Sequence, residues 1–169
     1  MDTEAPVDAW YVWLGVAAVS IGLAGLALCL PSTPAPDATA AANTIEETAA
    51  SPHETTGQYD HDATEARIGE HRLWLRTDGT ESTARIAFGQ MVPVCEDEQL
   101  RAILDGEEPL AVYDHNADSD AWAAFHADVE DARDRAEDQK WQPAEGTVRV
   151  RAIDYPAPGG EERATLVAV

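Results

Sequence analysis

Residues 9–30 form a run of 22 positions without a formal charge, carrying Trp10, Tyr11, Trp13, Leu14, Ile21, Leu23, Leu26 and Leu28. A helix of that length rises about 33 Å, against about 30 Å for a bilayer's hydrocarbon core. The aromatic residues gather at its N-terminal end, where amphipathic rings favour an interface. A cleaved signal peptide fits less well, because residues 1–8 hold Asp2, Glu4 and Asp8 and no cation. The expectation is therefore a retained transmembrane helix that anchors the chain as a single-pass protein of the cell membrane.

Within this run Gly15, Ala18, Gly22 and Gly25 recur at spacings of 3, 4 and 3. Small side chains on one helix face let helices approach closely, so these four residues are the candidate helix-packing face. Leu26-Ala27-Leu28-Cys29 offers an alternative. It is similar to a lipobox, which would make Cys29 the anchor of an envelope lipoprotein-like ligand-binding domain. The small residue usual before the cysteine is replaced by Leu28, and a basic leader is missing. Orientation has little support, since no Lys or Arg precedes Arg67. An extracytoplasmic domain is the expected topology.

The organisation that follows is an N-terminal tail (1–8), the helix (9–30), a Pro/Ala/Thr-rich linker with a short helix (31–65) and an α+β domain (66–169). Asp37 caps the linker helix through about residue 51, and Pro52 and Gly57 end it. Residues 52–65 read as a polar loop. His61 between Asp60 and Asp62 is a lone histidine beside carboxylates, a pattern far more often solvated than metal-binding.

Two hairpins frame the domain. Asp78-Gly79 joins alternating runs at residues 71–77 and 83–88, the strongest hairpin signal in the chain. Pairing Thr77 with Thr80 sets Leu73 opposite Ala84 and His71 opposite Ile86. On the other face it sets Arg72 opposite Arg85, Trp74 opposite Thr83 and Arg76 opposite Glu81. Like charges directly opposed are destabilising unless an anion lies between them. The second hairpin runs from 147–155 through Pro156-Ala157-Pro158-Gly159-Gly160 into 163–169. Between the hairpins, residues 96–105 are helical and 108–113 extended. A longer helix covers residues 119–138, its apolar stripe on Trp122, Phe125, Val129, Ala132 and Ala136. The expected fold is a four-stranded antiparallel sheet with two helices on one face.

The composition constrains function more than the elements do. The chain of 169 residues has 32 Asp+Glu against 11 Lys+Arg, a formal net charge of −21, and Lys140 is its only lysine. That balance argues against nucleic-acid binding, which needs clustered cations. Such charge destabilises a compact state by self-repulsion, yet at molar salt the Debye length shrinks to about 3 Å and the repulsion is screened. The acidic, lysine-poor composition resembles that of proteins from halophilic archaea. Seven of the ten arginines fall in residues 66–91 and 146–169, so cations concentrate in the hairpins. Arg72, Trp74, Arg85, Arg149 and Arg151 are the candidate interaction surface, with carboxylates expected to match the arginines.

No phosphate loop, HExxH, CxxC or GxSxG pattern occurs, and with 32 acids a close carboxylate pair is expected by chance. No catalytic, cofactor or metal residue is assigned. Asp8-Ala9-Trp10-Tyr11-Val12-Trp13-Leu14-Gly15, the exit Leu30-Pro31-Ser32-Thr33-Pro34, Ile68-Gly69-Glu70-His71-Arg72 and Phe88-Gly89-Gln90-Met91-Val92-Pro93-Val94 resemble an uncharacterised haloarchaeal single-span family. The resemblance implies association with archaeal type IV pilus or secretion machinery. The expected function is a non-enzymatic cell-surface protein, pilin-like or accessory, with protein partners engaged through its helix and head domain.

Overall fold

The computed structural model describes residues 9–29, 34–95, 97–113, 117–136, 138 and 140–169. Two units are described, residues 1–34 and 35–169. In the first, α1 (Ala9–Cys29) is a helix. Its described side chains, residues 10–25, are exposed, and a Cβ added at Gly15, Gly22 or Gly25 would meet nothing within 4 Å. Among the described residues, no helix is long and apolar enough to cross a membrane. That corrects the expected transmembrane anchor over residues 9–30 and the single-pass membrane placement drawn from it. The tail over residues 1–8 and the Cys29 side chain lie outside the described residues.

The second unit begins with α2 (Ala38–Ala50), whose first turn is capped by Asp37 accepting from the Ala40 N–H at 2.9 Å. Ala38, Ala41, Ala42 and Ile45 face inward, and Ala41 and Ile45 are fully buried. This is a core helix, packed in one cluster with Leu73, Leu75, Val148, Val150 and Val167.

After α2 come β1 (Thr55–Asp60), β2 (Glu65–Ile68), β3 (Arg72–Thr77), β4 (Thr80–Arg85) and β5 (Met91–Pro93). Then follow α3 (Glu98–Leu104), α4 (Pro109–Val112), α5 (Asp118–Ala136), β6 (Gln142–Pro143), β7 (Thr147–Ala157) and β8 (Gly160–Ala168). Two four-stranded sheets result, ordered β1-β7-β8-β5 and β4-β3-β2-β6. The first is mixed, since β5 runs parallel to β8; the second is antiparallel.

Both expected hairpins form, and β3–β4 keeps the expected register, Thr77 with Thr80, Leu73 with Ala84 and Arg72 with Arg85. Asp78 and Gly79 both have positive φ, 48° and 79°, the conformation a tight two-residue hairpin requires. The single four-stranded sheet with two helices is nevertheless corrected: each hairpin lies in its own four-stranded sheet. The extra strands come from segments too polar or too short to announce themselves. β1, Thr-Thr-Gly-Gln-Tyr-Asp, is an edge strand that never buries a full face, so it carries no apolar alternation. Residues 108–113, expected to be extended, contain α4, started by Pro109 at its first turn. In α5 the buried stripe opens on Ala121 rather than Trp122, which lies half-buried against Phe125 and Tyr155.

The sheet containing β7 and β8 is the middle layer. Val148, Val150 and Val167 face α2 and the other sheet. Ile153, Tyr155, Ala164, Leu166 and Ala168 face the cluster built by Leu100, Ile103, Phe125 and Val129 from α3 and α5. A strand covered on both sides shows no clean polar–apolar alternation. The β4-β3-β2-β6 sheet is covered on one face only. Its inner side chains Ala66, Ile68, Leu73, Leu75, Ala84 and Ile86 are buried, and its outer face is half-buried or exposed.

Candidate interaction face

The outer face of the β4-β3-β2-β6 sheet follows from strand parity alone. Inward Ile68, Leu73 and Leu75 send Arg67, Arg72, Trp74 and Arg76 outward. Cross-strand pairing then places Arg72 beside Arg85, Trp74 between Thr83 and Arg67, and Arg76 between Glu81 and Glu65. The side chains stack into a ladder. The Arg67 guanidinium lies 3.9 Å from the centroid of Trp74 and 5.5 Å from that of Trp141. Arg76 lies 4.1 Å from the Trp141 centroid, and Arg72 approaches Trp74 at 5.5 Å. Each such contact contributes about 0.5–1 kcal/mol at an exposed site. Gly69 belongs to the arrangement, because a Cβ there would sit 3.1 Å from the Trp74 ring.

The ladder is ordered by hydrogen bonds at one end and open at the other. Arg76 donates from Nε and Nη2 to one Glu65 carboxylate oxygen, at 2.9 and 2.6 Å. At the opposite end, neither Arg72 nor Arg85 forms an ion pair among the described residues, and the buried Arg67 Nε has no hydrogen-bond partner there. Stacking on aromatic rings leaves a guanidinium's in-plane N–H groups available to an acceptor.

Arg149 and Arg151, grouped with these residues at the sequence level, lie in the other sheet on its helix-facing side and do another task. Arg149 pairs with Asp105 at the end of α3, and with Glu145 at 3.6 Å. Arg151 is 7% exposed and donates to the Ile103 and Glu107 carbonyls at 2.5 and 2.8 Å, with Glu108 at 3.8 Å. A cation at a helix C-terminus satisfies carbonyls that have no partner within the helix. Arg163 plays the same part for α2, donating to the Ala49 carbonyl at 3.0 Å and to that of Ser51. Its other edge grips Asp154 through two bonds of 2.6 Å, which hold the Asp154 carboxyl below its ordinary range. The candidate set thus separates into Arg72, Trp74 and Arg85 on an open face and Arg149 and Arg151 as internal braces. Arg67, Arg76 and Trp141 join the face. Arg67 and Arg76 were findable by parity, whereas Trp141 arrives from beyond α5 with no local signal.

Other titratable groups among the described residues form close pairs. Tyr155, 1% exposed, donates to Glu162 at 3.1 Å and meets His126 Nδ1 at 3.1 Å; burial and the Glu162 charge push its phenol up to about 12. Tyr113 donates to Asp128 at 2.5 Å, and burial raises its pKa as well. His61 is buried rather than solvated. Its Nδ1 accepts the Ala63 N–H at 3.1 Å, its Nε2 has no partner among the described residues, and burial lowers its pKa against the opposing pull of Asp62 and Asp60. No group of three or more His, Cys, Asp or Glu among the described residues is placed to hold a metal ion.

A model for a family of unknown function, DUF7283, matches residues 4–153. No curated protein and no solved structure matches the chain.

Proposed function

The chain belongs to the DUF7283 family, and we propose that it is a non-enzymatic protein-binding component that docks partners through the outer face of the β4-β3-β2-β6 sheet. The observation that carries this reading is the alternation of Arg72, Trp74, Arg67, Trp141 and Arg76 on an uncovered sheet face. Tryptophan and arginine are the residues enriched at the energetic centres of protein interfaces, since both bury much surface with little loss of freedom once stacked. A chain of net charge −21 keeps its other surfaces solvated, so a concentrated cationic, aromatic face is a local exception. The acidic composition supports a halophilic setting, where coulombic steering is screened and ring stacking persists. Membership of pilus or secretion machinery is the specific assembly proposed for it.

The test is isolation of the full chain from its source at native salt, with Trp74→Ala/Arg85→Gln in parallel. The wild-type chain is expected in a complex that contains appendage or secretion proteins, and the variant outside it. A variant retained in the same complex refutes the docking face. A complex without such proteins, together with unchanged surface appendages and secreted products on deletion, refutes the pilus or secretion assignment.

A further inference from the structure

On the reading that this face docks protein, we infer that its occupant is an extended acidic segment of another protein, with carboxylates two residues apart, seated on Arg72, Arg85 and Arg67. The ion-pair pattern carries the argument. Among the described residues Arg76, Arg101, Arg133, Arg149, Arg151 and Arg163 each have a carboxylate within ion-pair distance. Of the four that do not, Arg135 donates to the Asp131 carbonyl within α5. The other three are neighbours on the outer face, Arg72 and Arg85 at one end of the Trp ladder and Arg67 against Trp74. In a chain with 32 acids and 11 cations, internal partners are abundant. Three guanidiniums left without one at a single place leave a cationic cradle facing outward.

The register specifies the spacing. Arg72 and Arg85 are directly cross-strand, a juxtaposition that is destabilising in isolation and favourable once one carboxylate bridges both. Arg67 pairs with Trp74, two residues along β3 from Arg72, so it lies diagonally about 7–8 Å from that site. Side chains two apart in an extended chain stand about 6.8 Å apart on one face. A second carboxylate at that spacing stands beside Arg67, which has no carboxylate within ion-pair distance among the described residues. The intervening residue points away, and the Trp74 ring between the two sites offers apolar contact. Of the chain's own acid-x-acid pairs, Asp118 with Asp120 and Asp128 with Glu130 lie in α5, where residues two apart do not share a face.

Titration of the full chain with an end-blocked peptide of core Glu-Thr-Glu, followed by tryptophan fluorescence, tests the inference against a Gln-Thr-Gln analogue. Charge-assisted hydrogen bonds of about 1.5–3 kcal/mol put the expected loss at about tenfold or more for the analogue, and likewise for Arg72→Gln or Arg85→Gln. Arg135→Gln is expected to bind as wild type. Equal affinity for the two peptides, or unchanged affinity in Arg85→Gln, overturns it. Displacement by inorganic phosphate at concentrations below the peptide's own makes the cradle a small-anion site and overturns it too. So does self-association in sedimentation that Arg85→Gln abolishes, because the occupant is then a second copy. Should the acidic peptide fail while Trp74→Ala/Arg85→Gln still releases the native complex, the acidic segment falls and the docking face stands. If the variant stays in the complex, both fall.

Discussion

Ile45→Ala tests whether α2 is structural core or a decorated linker. Ile45 is fully buried in a cluster with Ala41, Ala42, Leu73 and Val150. The substitution removes three carbon atoms, about 2.4 kcal/mol at about 0.8 kcal/mol per buried methylene. The flanking alanines cannot lengthen to fill the space, so a cavity term raises the cost to about 3 kcal/mol, within the range measured for such truncations. The unit spanning residues 35–169 has an unfolding entropy of about 0.28 kcal/mol/K at about 2.1 cal/mol/K per residue, which converts that cost to a fall of about 11 °C in Tm. Circular dichroism melts of the full chain at fixed salt read it directly. Asn43→Ala, exposed on the opposite side of the same helix, is expected to stay within about 0.5 kcal/mol. An Ile45→Ala shift below about 2 °C would mean that α2 is not packed where the structure places it, and the two-sided burial of the middle sheet would lose its support.

Three further outcomes follow from buried polar groups and close contacts. His61 has its folded pKa lowered below 6.5 by burial, so its contribution to stability is full above about pH 6.5 and is lost as pH falls and the unfolded state takes the proton first; urea midpoints at pH 7.5 and 5.5 should show that loss, and His61→Asn should remove part of it, whereas an identical slope in the variant refutes it. Gly57→Ala would place a Cβ 2.2 Å from Thr48 Oγ1 and 3.2 Å from Thr44 Cγ2, with the Thr48 hydroxyl held at 2.8 Å by the Thr44 carbonyl; a loss of about 1–3 kcal/mol is expected, recovered in part by Thr48→Ala in a double-mutant melt. Arg151→Met strips the Ile103 and Glu107 carbonyls of their donor and should cost about 2–4 kcal/mol, against less than about 1 kcal/mol for Arg149→Gln at its more exposed pair; equal effects would contradict the assignment of Arg151 as a brace.

What the sequence disclosed was local. Asp78-Gly79 demands a positive-φ turn, and that turn fixes the register of β3–β4 to the residue. The same register exposed the Arg72–Arg85 confrontation on which the proposed site rests. What it concealed depended on distant partners. Arg151 and Arg149 alternate with Val148 and Val150 as an exposed face would, and only the packing of α3 over β7 turns Arg151 into a buried cap. β1 lacks apolar alternation because α2 packs over Gly57 rather than over a large side chain. The long apolar run over residues 9–30 pointed to a membrane, whereas among the described residues no helix is long and apolar enough to cross one. Trp141 completes the ladder from beyond α5, a pairing that no spacing along the chain encodes.

The central claim is that the uncovered Trp–Arg face is the docking surface. A photocrosslinker at Thr83, beside Trp74 on the exposed side of β4, tests it in the source cells at native salt, with Ser119 at the exposed start of α5 as the control position. The account expects a discrete heteroprotein adduct from position 83, lost in Trp74→Ala and absent from position 119. Equal adducts from both positions, or an adduct at 83 that survives Trp74→Ala, would contradict it.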